Sequence, residues 1–172
     1  MNEGSDQGRS RRGRAHRATT ALALAIAVGV AAASPAAAET AAPSGTFDEY
    51  ENGPGLGYDD IDGHAELVRT GDGRTIVTVE IQGLNPATTY AAHVHTLGCA
   101  DLAGHYFFAG PVPDGDGPNG DEIWPGPVTA KPAGNARGST TVGATAGPTA
   151  SSVVVHATST GGPRIACADL SS

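Results

Sequence analysis

The chain has 172 residues, a formal net charge of −8, and 39% hydrophobic but only 5% aromatic residues. That length suits one domain with a modest core. Eighteen Asp and Glu against ten Lys and Arg make the chain a poor candidate for holding nucleic acid or anionic membranes, where cation clusters supply the attraction.

Residues 1–38 have the order of a secretory signal peptide. Arg9, Arg11, Arg12, Arg14 and Arg17 come first, an uncharged apolar run follows from Ala18 to Ala33, and Ala36-Ala37-Ala38 forms a small-residue cleavage site. The apolar run is alanine-dominated and shorter than the roughly 20 residues of a membrane-spanning helix, so no stable span is expected after cleavage. Arg11-Arg12 is a twin-arginine candidate, and the export route stays open. The expected location is outside the cytoplasm: secreted, periplasmic or at the cell envelope. Cleavage would leave five cations against sixteen acidic side chains, a net charge of −11.

Residues 39–55, mixing Ala, Pro, Ser, Gly and acids, read as a flexible acidic leader, with the domain expected over 56–172. Beyond the leader the apolar period is two. Strands are predicted over Ala65–Arg69 and Thr75–Gln82, joined at Thr70-Gly71-Asp72-Gly73 as a hairpin. The second places Val77, Val79 and Ile81 on one face and Thr78, Glu80 and Gln82 on the other. Further strands are expected at Tyr90–His95, at Ile123–Trp124 with Val128–Ala130, and at Gly138–Ala144, Ser152–Ala157 and Pro163–Ala168. Gly110–Gly120 and Ala144–Ala150 read as loops. No sustained helical stripe occurs, and the pattern predicts an all-β antiparallel sandwich or flattened barrel.

Cys99 and Cys167 are the two cysteines. In an exported protein a single pair is most simply one disulfide, the alternative being two buried thiols.

Histidines carry the chemistry. His93 and His95, at i and i+2 on a predicted strand, leave the same face and can converge on one ion, although two solvated imidazoles would show the same spacing. His156 ends the apolar run Val153-Val154-Val155, and His105 precedes Tyr106-Phe107-Phe108. Buried imidazoles need partners, and a shared metal supplies one to each. Such ligands suit zinc, copper, iron and nickel alike. His64, beside Gly63 at a strand start, reads as solvated, and Tyr50, Tyr58 and Trp124 as packing residues.

Six fragments in order complete the picture: Ala92-His93-Val94-His95, Gly98-Cys99, Gly104-His105-Tyr106-Phe107, Gly120-Asp121, Val154-Val155-His156 and Pro163-Arg164-Ile165-Ala166-Cys167. Together the chain resembles the Cu/Zn superoxide dismutases over about 83–167. The resemblance implies a Greek-key, immunoglobulin-like β-sandwich or flattened barrel. It implies copper ligands at His93, His95, His105 and His156, with His105 as the bridging imidazole, and a disulfide between Cys99 and Cys167. Arg164 would be the arginine that draws and orients superoxide, so that His105 and Arg164 are the catalytic pair. Of the family's zinc site only His105 and Asp121 remain, and two ligands do not close a tetrahedral centre. The stretch from His156 to Arg164 is also short for the family. Both departures resemble its copper-only members, in which an acidic side chain orients the bridging imidazole; Asp121 and Glu122 are the candidates. The expected function is an exported copper-dependent superoxide dismutase. The alternatives are a copper-binding domain for sequestration or delivery, and an exported sandwich without metal.

Overall fold

Alternation along the chain becomes alternation between a core and an outer surface. The computed structural model describes residues 42–50, 53–101, 104–108 and 121–171. The expected signal segment 1–38 and the expected loop at 110–120 lie outside them. The described elements belong to the unit Ala37–Ser172.

Eight strands are present: β1 (Ser44–Glu49), β2 (Asp62–Arg69), β3 (Thr75–Gln82), β4 (Thr89–His95), β5 (Val128–Thr129), β6 (Ala136–Val142), β7 (Ser152–Thr158) and β8 (Gly161–Asp169). All pairings are antiparallel, in the order β5-β4-β7-β8-β1-β2-β3-β6. Terminal strands β5 and β6 lie beside each other, so the sheet is a nearly closed barrel. Strand β7 neighbours β4 rather than β6, which makes β4 to β7 a Greek key. The all-β expectation therefore holds.

On β3, Thr75, Val77, Val79 and Ile81 point inward, as the period of two requires. They meet Leu67 of β2, Tyr90, Ala92 and Val94 of β4, Val153 and Val155 of β7, and Ile165 of β8. Burying each large aliphatic side chain contributes about 1.5–3 kcal/mol. Tyr90 is fully buried, and its hydroxyl lies 3.2 Å from that of Tyr58 and accepts the Asn85 N–H at 2.9 Å. Burial first, then the Tyr58 hydroxyl, pushes its phenol up to about 12.

Two expectations are corrected. The leader 39–55 is not flexible throughout. Ser44–Glu49 is a strand whose first half pairs β2 and whose second half pairs β8, with Phe47 buried in the core and a 3₁₀ turn following at Pro54–Leu56. Hydrogen bonding to two neighbours, more than apolar content, holds it in place. Ile123–Trp124 is not a strand of the sheet; it runs alongside β4 without regular pairing.

Candidate metal centre

Alternation along β4 sends Tyr90, Ala92 and Val94 into the core and Ala91, His93 and His95 to the outer face. On β7, Val153 and Val155 point inward, and Ser152, Val154 and His156 outward. The register pairs His93 with Val154, so His156 lies diagonally across from His93 on the same face. A β-bulge at His156 interrupts the β7–β8 ladder there, the kind of local irregularity that re-aims a side chain.

The three imidazoles meet. Ring centroids are 4.7 Å apart for His93 and His95, and 4.6 Å apart for His93 and His156. One ligand atom from each of the three lies within 4.8 Å of the others.

All three are buried although they face away from the core. The β4–β5 connection accounts for this, because two pieces of it run along the β4 edge opposite β7. Tyr106 N–H donates to the Val94 carbonyl at 2.9 Å, and Val94 N–H donates to the Ile123 carbonyl at 3.0 Å. His105 forms an antiparallel bridge with His95, and Phe107 with Glu122. The His105 ring thereby lies 3.8 Å from that of His93 and 5.2 Å from that of His95. His105 is thus in ring contact with the group, while the mutually close ligand atoms belong to His93, His95 and His156.

Hydrogen bonds settle which nitrogens hold protons. A carboxylate and a carbonyl can only accept. His156 Nδ1–H donates to the Gly162 carbonyl at 2.7 Å, which leaves Nε2 with its lone pair. Gly162 has φ +86°, a left-handed conformation that glycine adopts freely. His105 Nδ1–H donates to Oε1 of Glu122, so in the neutral ring the lone pair lies on Nε2. Of the two acidic candidates Glu122 is therefore the one bonded to His105. Asp121 is exposed, and its backbone carbonyl accepts the Phe108 N–H.

Burial holds His93 well below the ordinary imidazole range, reinforced by the other three imidazoles and by Arg164. His156 is lowered chiefly by burial, the Gly162 bond opposing, with smaller contributions from Arg164 and His105. Both shifts favour the neutral ring, the form in which an imidazole binds a metal.

Arg164 pairs in register with His156 across β7–β8 and is half-buried. Its guanidinium carbon lies 6.0 Å from the Tyr50 ring centroid, at the outer limit of a cation–π contact. Three residues on, Cys167 forms a disulfide with Cys99. Cys99 N–H also donates to Oδ1 of Asp169 at 2.6 Å, so the start of the β4–β5 connection is tied to β8 twice.

Whether a metal suits these residues can be judged from their own atoms. Both ring nitrogens of His93 and Nε2 of His156 are buried without a hydrogen-bond partner. Left so, each would carry a desolvation cost of about 1–3 kcal/mol; an ion shared among the imidazoles removes it for one nitrogen of each ring. The residues fit a metal, and an all-imidazole set is compatible with copper. The Nδ1 edge of His105, which a bridging imidazole would turn to a second ion, is taken by Glu122.

Trp124 belongs to this site as well as to the packing. Its ring lies 4.6 Å from that of His93, and its indole N–H donates to Oε2 of Glu122 at 3.0 Å. The signal for it in the sequence is the spacing Glu122-Ile123-Trp124, two polar-tipped residues flanking one that enters the core. His64 is exposed on β2, as expected.

No family model matches the chain, and no curated protein matches it in sequence. Among solved structures, a double mutant of a SOD-like protein from Bacillus subtilis superposes with a TM-score of 0.50 at 14% identity, over 75% of this chain and 97% of that one. What the two share at that identity is architecture: the chain has a SOD-like fold, with a buried histidine group on its outer face that can bind a metal ion.

Proposed function

We propose that this protein is an exported, copper-dependent superoxide dismutase that converts two superoxide ions and two protons into dioxygen and hydrogen peroxide. The observation that carries the reading is the meeting of the His93, His95 and His156 ligand atoms in a buried group, with Arg164 in register beside His156.

His93, His95 and His156 would hold the ion, with His105 as a fourth imidazole against them. Copper, when bound, supplies a one-electron couple that can accept an electron from one superoxide and return it to the next. The rest is done by the chain. Arg164 attracts a small anion to a protein of acidic charge, because the local field governs the last approach. His105, its Nδ1 proton committed to Glu122, offers Nε2 as the atom that takes up and delivers a proton. Export through residues 1–38 agrees with the disulfide, which persists in oxidising compartments.

A second reading, copper sequestration or delivery, is favoured by one observation. β7 and β8 are joined by a tight turn closed by Thr158 Oγ1 donating to the Gly161 carbonyl at 2.7 Å. No long loop from that hairpin shapes a channel for a small anion.

The deciding experiment is to load the purified protein with copper, count bound metal, and follow superoxide decay directly. Catalytic turnover is expected at one copper per chain. Arg164→Ala should slow it by about tenfold or more at low salt and flatten its salt dependence, with copper retained. Stoichiometric copper without turnover would establish the second reading instead.

A further inference from the structure

Glu122 is a carboxylate with only 4% of its surface exposed. A buried carboxylate is tolerated when its oxygens are served by donors. Here each oxygen has one: Oε1 accepts from His105 Nδ1, and Oε2 accepts from the Trp124 indole at 3.0 Å. The indole nitrogen is donor-only, so the direction of that bond is unambiguous. Trp124 and Glu122 lie two residues apart on an extended segment, with Ile123 between them turned into the core.

We infer that Trp124 is a positioning residue of the metal centre, acting through Glu122 on His105; the inference rests on the copper reading above. A carboxylate held at one oxygen can swing about its terminal torsion. Held at both, it fixes the imidazole's tautomer and ring orientation, the role that outer partners play for metal-binding histidines. The same indole ring lies 4.6 Å from His93 and 5.9 Å from His105, edge-on to the latter. One side chain therefore walls the first imidazole and steers the fourth. For walling alone a phenyl ring would serve; the N–H is what reaches Glu122.

The supporting segment is itself braced from below. A Cβ at Gly138 of β6 would come within 2.1 Å of the Pro125 carbonyl oxygen, so the backbone next to Trp124 rests directly on the sheet where a side chain is missing.

Trp124→Phe keeps the ring and deletes the donor. In the metal-free full chain, proton NMR should show the His105 Nδ1–H as a downfield, slowly exchanging resonance. In Trp124→Phe its exchange should quicken by about tenfold or more, and in Glu122→Ala the resonance should vanish. An unchanged shift and exchange rate in Trp124→Phe would overturn the inference. Copper(II) affinity, measured by chelator competition, supplies the second arm. Trp124→Phe should weaken binding about tenfold but cause no further loss in a Glu122→Ala background. Equal losses in both backgrounds would mean that the indole acts by packing on His93, and the inference would fall. A wild-type chain that binds no copper would sink the preceding functional reading, and the proton measurement alone would then decide the role of Trp124.

Discussion

In His156 the nitrogen that bonds to the protein decides what the other can do. Its Nδ1 is committed to the Gly162 carbonyl, so Nε2 is a buried base without a partner, and burial keeps the ring neutral. His93 is depressed further, for the same first cause. The consequence for stability has a definite sign. The unfolded chain protonates these two imidazoles near their ordinary value of 6.5, whereas the folded, metal-free chain does so only at lower pH. Below that pH the unfolded state therefore binds more protons, and stability falls as pH falls. Denaturant unfolding of metal-free protein should show full stability above about pH 7 and progressive loss toward pH 5; His93→Ala should flatten that slope. A slope unchanged in the variant would show that other groups set it. The histidines were legible because alternation fixes the face of His93 and His95, and because an imidazole closing the run Val153-Val154-Val155 needs a partner. The choice between Asp121 and Glu122 was not legible. Adjacent residues on an extended segment point to opposite sides, and only the bridge between Phe107 and Glu122 shows which side faces His105.

Among the elements, strands with three or more inward apolar residues could be read directly, as β3 illustrates with Val77, Val79 and Ile81. β1 could not. Its sequence Ser-Gly-Thr-Phe-Asp-Glu buries one large side chain, Phe47, and a period cannot be read from a single peak. The strand exists because the facing edges of β2 and β8 both need hydrogen-bond partners. Removing residues 1–41 should therefore leave a cooperative thermal transition, whereas removing residues 1–50 should abolish it or lower it sharply. Circular dichroism melting distinguishes the two, and a native-like melt after the longer deletion would show that β1 is dispensable. The disulfide staples a different seam. It closes a separation of 68 residues, for which chain entropy gives about 4 kcal/mol, and it holds the connection that carries His105 to the strand that carries Arg164. The site role of Trp124 was only partly legible for a related reason: the spacing Glu122-Ile123-Trp124 puts the indole and the carboxylate on one side, but their contacts depend on where an irregular connection lies along β4.

At the scale of the molecule, the apolar residues fill the barrel and the chemistry lies outside it, under a connection rather than within the core. Of the five cations beyond residue 38, Arg74 pairs with Asp72, Arg137 with Glu80, and Arg69 donates to the carbonyls of Ala146 and Gly147. Arg164 faces an aromatic ring instead, so its field reaches the imidazoles. The chain also contains a single tryptophan, and its ring lies tilted against that of His93, 4.6 Å between centroids. Excited beyond the tyrosine band, the entire protein therefore glows from one spot, at the wall of its histidine pocket. One equivalent of copper(II) should extinguish most of that emission, while closed-shell zinc(II) should leave it bright. Light that persists through a stoichiometric copper titration would place the ion elsewhere on the chain.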